Sequence, residues 1–166
     1  FFGHTMRMDL LGQFHETELL ETEMKKFCGY MVNQEPGTFW ETMNGEDSRS
    51  HGFGSHYGVQ LIRDFLGIDM PDRLTHRILF APRPGTLQWA KGTFSNEDGR
   101  IAASWNKDQA GFKMHISVPS DYTVEIILPR EYRVVQQILV NGKYQSAASP
   151  ILLKDKADIY IEQPDD

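Results

Sequence analysis

The chain has 166 residues, enough for one large or two small domains, and 40% of them are hydrophobic, enough to build a core. Its formal net charge of −6 argues against a nucleic-acid or anionic-membrane partner, either of which favours a basic patch. No run approaches the roughly 18 consecutive apolar residues of a membrane-spanning helix, and the single cysteine, Cys28, excludes an internal disulfide.

The chain begins Phe1-Phe2-Gly3, with no Met and no basic n-region, so no signal-peptide pattern is read. An apolar start that leads directly into a helical pattern reads as a cut through a larger protein. From Phe2 to about Phe14, Met6, Leu10 and Phe14 recur every fourth residue, one face of an amphipathic helix. GQFHETE interrupts it, and a second helix is expected from about Thr17 to Asn33, with Leu20, Met24, Phe27 and Met31 as its apolar stripe. Glu16, Glu18 and Glu21 crowd the positive end of that helix dipole, and Glu21 and Lys25 are an i,i+4 pair in the favourable order. These charges read as a solvated surface, and Cys28, in the same pattern, as a buried, inert thiol. Pro36-Gly37 ends the helix.

A loop-rich passage follows, PGTFWETMNGEDSRSHGFGS over 36–55, with four glycines, a carboxylate, a tryptophan and a histidine. A third helix is expected from about Ser55 to Leu66. Tyr57, Leu61 and Phe65 form its stripe, widened by Val59, Ile62 and Leu66, so it should be well buried. Gly67 suits a C-cap, and Pro71 stops the helix from resuming.

Beyond Ile68 the period changes to two. Ile101, Ala103 and Trp105 share a face; so do Phe112, Met114, Ile116 and Val118, and then Tyr122, Val124, Ile126 and Leu128. Turn signals separate them at 96–99, Ala110-Gly111, Pro119-Ser120-Asp121 and Asn141-Gly142, the last being a strong hairpin signal. Pro82 and Pro84 suit an edge or connecting segment, and the tail 163–166 a frayed terminus. The fold class is therefore α plus β in separate parts: helices over 1–68, then an antiparallel β-sandwich, jelly-roll-like, over 69–166.

The chemistry concentrates in the loop. Glu41 follows Thr38-Phe39-Trp40, and a carboxylate beside an indole suits sugar chemistry, because aromatic faces stack on pyranose rings and a carboxylate can deprotonate water. An exposed loop glutamate beside a core tryptophan is the competing reading. His51 lies among small neighbours just before the third helix, where a ligand can approach the backbone; the alternative is a histidine bonded to a neighbouring segment. Ser50 or Ser55 reads as an N-cap rather than a nucleophile. His51 and His56 are five apart, not the i,i+4 spacing that puts two imidazoles on one face, so no metal is expected. No P-loop, dinucleotide fingerprint or G-x-S-x-G elbow occurs in a suitable context, so no cofactor is expected. Trp89 and Trp105 are further sugar platforms to consider, although Trp105 is in phase with Ile101 and so with the core.

The order of these features resembles the C-terminal end of bacterial α-L-rhamnosidases. PGTFWET is similar to that family's Thr-x-Trp-Glu segment, and SHGFGSHYGVQLIRDFLGI to its histidine-containing helix start. ILFAPRPGTLQWAKGTFSNEDGRIAASWN is similar to its strands around an A-x-G segment and a D-G-x-I turn, and FKMHISVPSDYTVEIILP to its paired strands ending in Val-Pro and Leu-Pro. The likeness extends to about Pro129.

The resemblance implies that residues 1–68 are the closing helices of an (α/α)6 barrel, that a C-terminal β-sandwich follows, and that the whole protein hydrolyses terminal α-L-rhamnosides with inversion. By the same implication Glu41 is the general base, His51 contacts the sugar, and Trp40 walls the pocket. Phe53 stands where the family often has Trp. The proton-donating acid would lie upstream, in the rest of the barrel, so this piece alone is expected to be inactive. The implied partner is a carbohydrate. A non-catalytic carbohydrate-binding protein and another (α/α)-barrel sugar enzyme, such as a polysaccharide lyase, are the alternatives.

Overall fold

Helix α1 (Phe2–Gln13) and helix α2 (Thr17–Val32) open the chain, as their periodicity requires. The structure, a computed structural model, describes residues 2–35, 37–148 and 151–162. The helix stop at Pro36 and the tail 163–166 therefore lie outside the described residues. The chain divides between Asp64 and Phe65 into two compact units.

In the first unit α2 is oriented as its stripe predicts: Leu20 and Met31 are buried, and Met24 and Phe27 half-buried. The expectation for α1 needs correction. Met6, Leu10 and Phe14 are exposed, at 54%, 52% and 73%. The face that packs is displaced by two residues: His4 packs against Phe27 with ring centroids 4.1 Å apart and planes tilted by 54°, Met8 is buried, and Gly12 lies against Asp64. A helix turns its closest-packing face inward, and here glycine and histidine provide it. Glu21 is a second correction. It is 5% exposed rather than solvated, and its Oε1 accepts from Lys25 Nζ at 2.5 Å. Cys28 is half-buried, and burial pushes its thiol pKa up.

The third helix is also not the uniform one expected. A 3-10 turn over Gly52–His56 leads into α3 (Tyr57–Gln60), and the chain then widens into π-helical turns over Leu61–Leu66. Among the described residues no side chain caps its start; Ser55 Oγ instead donates to Gly52 O at 2.8 Å. Val59 and Leu61 are exposed, whereas Tyr57, Gln60 and Asp64 are buried. Two polar side chains thus occupy an inward face that periodicity assigns to apolar ones.

Among the described residues the second unit holds ten strands: β1 (Ile68–Asp72), β2 (Arg77–Phe80), β3 (Trp89–Asn96), β4 (Gly99–Asp108), β5 (Gly111–Ser117), β6 (Thr123–Ile126), β7 (Gln137–Val140), β8 (Lys143–Ser146), β9 (Ile151–Lys154) and β10 (Lys156–Glu162). They form a four-stranded sheet, β1-β2-β6-β9, and a six-stranded sheet, β3-β4-β5-β10-β7-β8. All three predicted inward rows are buried, including Trp105 at 2%. Two sheets that each bury alternate residues agree with a β-sandwich. Each large apolar side chain so buried contributes about 1.5–3 kcal/mol relative to exposure. The sheets are not wholly antiparallel, however: β2 pairs with β6 in parallel, Arg77 opposite Thr123 through Phe80 opposite Ile126. A parallel pair needs a long crossover, and the chain between these two strands supplies one by building β3, β4 and β5 in the other sheet.

The turn chemistry is as expected. Asn141 and Gly142 have φ of 50° and 76°, both positive as a two-residue hairpin turn requires, and they join β7 to β8. Gly67 ends the π-helical turns with φ 95°. Pro82 and Pro84 lie in the connection between β2 and β3.

Candidate active site

The loop after α2 folds back on itself. Glu41 N donates to Ser48 O at 2.7 Å, His51 N donates to Phe39 O at 2.8 Å, and Thr38 Oγ1 donates to Arg49 O. These bonds hold the segment from Thr38 to Glu41 beside the segment from Ser48 to His51. The turn between them is laced by polar groups: Thr42 Oγ1 donates to Asn44 Oδ1 at 2.7 Å, and Asn44 Nδ2 to Glu46 Oε2 at 2.7 Å.

Trp40 and Glu41 are neighbours in sequence but differ in exposure. Trp40 is 4% exposed. Its ring meets Tyr30 edge-on at 5.9 Å, Arg49 covers it at 4.9 Å, and its backbone N–H points at Met31 Sδ. Its buried Nε1–H has no acceptor among the described residues. The Glu41 side chain is 46% exposed, and the His51 side chain 24%. Glu41 Oε2 and His51 Nδ1 are 3.6 Å apart, an ion pair only when the imidazole is protonated. The two residues singled out from sequence are thus adjacent, while the third, Trp40, is buried. Phe53 is half exposed, with its ring 5.2 Å from that of His51. Gly54 fixes the close approach on the other side, since a Cβ there would sit 2.2 Å from Phe39 Cβ.

Such a pair has definite chemical capacities. An exposed carboxylate can accept a proton from a bound water, and an imidazole beside it can hydrogen-bond a hydroxyl. Among the described residues, no group of three or more His, Cys, Asp or Glu is placed to hold a metal ion.

Sequence reasoning missed a polar cluster in the same unit. Asp9 of α1 meets His56 Nε2 at 2.9 Å, Gln60 Nε2 at 3.1 Å and Arg63 Nη2 at 3.2 Å. Arg63 in turn grips Asp64, through Nε to Oδ1 at 3.0 Å and Nη2 to Oδ2 at 2.8 Å, and Asp64 is 1% exposed. Burial alone pushes the Asp9 carboxyl up. Hydrogen bonds from His56 and Arg63 more than offset this and hold it below the usual carboxylate range. The Arg63 guanidinium is held up chiefly by its bond to Asp64. The available signal was the run His56, Gln60, Asp64 at spacings of four, a polar stripe on one helical face.

Comparison with known proteins bears on the second unit first. Residues 76–142 match the bacterial alpha-L-rhamnosidase C-terminal domain. The chain is similar to the C-terminal portion of a bacterial α-L-rhamnosidase. Among curated relatives, an alpha-L-rhamnosidase of Alteromonas sp. is 26% identical over 151 residues, 81% of this chain and 16% of that protein. One of Formosa agariphila is 27% identical over 167 residues, 86% of this chain and 18% of that protein. This chain therefore spans less than a fifth of the length of these relatives. Among solved structures, the alpha-L-rhamnosidase from Dictyoglumus thermophilum has the same fold over 96% of this chain and 20% of its own, with TM-score 0.75 at 20% identity. A rhamnosidase of Bacillus sp. GL1 gives TM-score 0.67 at 25% identity over 76% of this chain and 15% of its own.

Proposed function

We propose that the chain is part of a glycoside hydrolase that removes terminal α-L-rhamnose from rhamnosides with inversion, with Glu41 as the general base. The observation that carries this is the half-exposed Glu41 carboxylate 3.6 Å from His51, on paired segments anchored by a buried Trp40. An inverting enzyme needs such a base on the ring face opposite the acid, with the carboxyls about 6.5–9.5 Å apart so that a water fits between them. His51 contacts sugar hydroxyls beside it. Trp40, with its ring turned inward, holds the Glu41 segment in place rather than offering a stacking face. The name carried by the curated relatives supports the substrate class.

In this reading residues 1–68 supply closing helices of an (α/α)6 barrel and residues 69–166 a C-terminal β-domain. The exposed stripe Met6, Leu10 and Phe14 is where neighbouring barrel helices pack, and the general acid comes from elsewhere in the longer protein. The test is Glu41→Gln in the full-length protein. Turnover of an aryl rhamnoside should fall by about two orders of magnitude or more, with the thermal midpoint unchanged. Near-normal turnover would remove Glu41 from the role of base.

A further inference from the structure

The register of the six-stranded sheet defines one row of residues that crosses all its strands. Trp89 is opposite Asn106, Asn106 opposite Lys113, Lys113 opposite Tyr160, Tyr160 opposite Leu139, and Leu139 opposite Tyr144. Residues paired in register share a face. This face is the outer one, because the neighbours along each central strand, Trp105, Phe112, Met114, Ile138, Val140, Ile159 and Ile161, are buried. Trp89 is 68% exposed and Tyr144 64%. With strands about 4.8 Å apart, the row is about 24 Å long, and Tyr160 sits about 14 Å from one end and about 10 Å from the other.

We propose that this row is a carbohydrate-binding platform that takes an uncharged glycan chain along the sheet, independently of Glu41. Indole and phenol faces stack on the apolar faces of pyranose rings, and the interleaved Asn106 and Lys113 offer hydrogen bonds to hydroxyls. Charge favours a neutral occupant. Lys113 Nζ lies 3.6 Å from Asp108 Oδ2 and 5.6 Å from the centre of the Tyr160 ring, and His115 Nδ1 lies 2.6 Å from Asp158 Oδ1. Lys113, the one charged residue of the row, thus has an anion beside it, which gives an anionic polymer lying along the row little to bind. The Tyr160 hydroxyl donates to Ala110 O at 2.8 Å, which fixes the tilt of its ring. At the Trp89 end, Gln88, Lys107 and Asp108 line a cleft of about 670 Å³ with Gln109, Glu131 and Tyr132. Asp108 belongs to both features, lining the cleft and holding Lys113.

The platform takes only its ligand class from the hydrolase reading above. The probe is a soluble neutral rhamnan cast into a native gel, with the full chain as the migrating protein. The polysaccharide should retard the wild-type chain. Trp89→Ala and Tyr144→Ala should each weaken retardation about tenfold, the effect of losing one stacking contact. Val134→Ala, which removes an exposed apolar side chain outside the row, should change nothing. An unretarded wild type, or undiminished retardation of the double variant Trp89→Ala/Tyr144→Ala, would overturn the platform. So would a wild-type dimer in sedimentation that Trp89→Ala converts to monomer, because the row would then be an interface between copies. Retardation without rhamnoside hydrolysis by the full-length protein would sink the hydrolase reading and leave the platform standing.

Discussion

Asp64 and Gly12 supply the sharpest test of how the first unit is built. Asp64 is 1% exposed and gives both carboxylate oxygens to Arg63, at 3.0 and 2.8 Å. Removing one partner of a buried ion pair costs about 3–5 kcal/mol. Arg63 keeps Asp9 at 3.2 Å and a 26% exposed side chain, so Asp64→Ala should fall near the lower end, about 3 kcal/mol. In urea, with a slope of about 1–3 kcal/mol/M, that moves the midpoint down by about 1–3 M. Gly12 provides the cross-check. A Cβ there would lie 2.5 Å from Asp64 Oδ2 and 2.8 Å from its Cγ, so Gly12→Ala alone should cost about 1–3 kcal/mol through overpacking. In the Asp64→Ala background that space is vacated. The remaining close atom is Arg63 Nη2 at 2.9 Å, the end of a flexible side chain. The two substitutions should therefore couple by about 1–2 kcal/mol, within the range for residues in contact. The assay is a double-mutant cycle in urea, followed by helix-sensitive circular dichroism. Additive penalties would show that the Gly12–Asp64 contact does not position α1 against the π-helical turns.

Two further outcomes follow from the same physics. Folded Asp9 holds its proton less tightly than in the unfolded chain, so its contribution is present above the unfolded value of about 3.9 and lost as pH falls through the lower folded value. The thermal midpoint of the wild type should then fall more steeply below about pH 4 than that of Asp9→Asn, and parallel profiles would contradict the assignment. In the second unit, Trp105 Nε1 donates to Phe65 O at 3.0 Å. Trp105→Phe should cost about 1–3 kcal/mol by leaving that buried carbonyl short of a donor, read as a shift in the guanidinium midpoint; a shift within error would mean that Arg83 N, at 3.5 Å, suffices.

The β-part was legible because its determinants are local. Period two puts Ile101, Ala103 and Trp105 on one face whatever their neighbours, and Asn141-Gly142 adopts positive φ by its own chemistry. The pairing of Glu41 with His51 was legible only as proximity along the chain. Their 3.6 Å separation depends on backbone bonds between the two loop segments, which no local propensity encodes. The face of α1 was misjudged for a related reason. Apolar recurrence at Met6, Leu10 and Phe14 states which side chains avoid water, not which surface comes closest to the rest of the unit. Gly12 and His4 make that approach through small size and a tilted ring contact.

The order of elements, the change from helical to alternating period, and the chemical nature of the loop were thus written in the chain itself, since each depends on neighbours a few positions away. Tertiary structure alone decided that β2 and β6 run in parallel, that Gln60 and Asp64 turn inward, and that Trp89, Tyr160 and Tyr144 fall on one line. Those outcomes come from pairing between segments far apart in sequence, where the gain depends on which partner is met rather than on any residue's own preference.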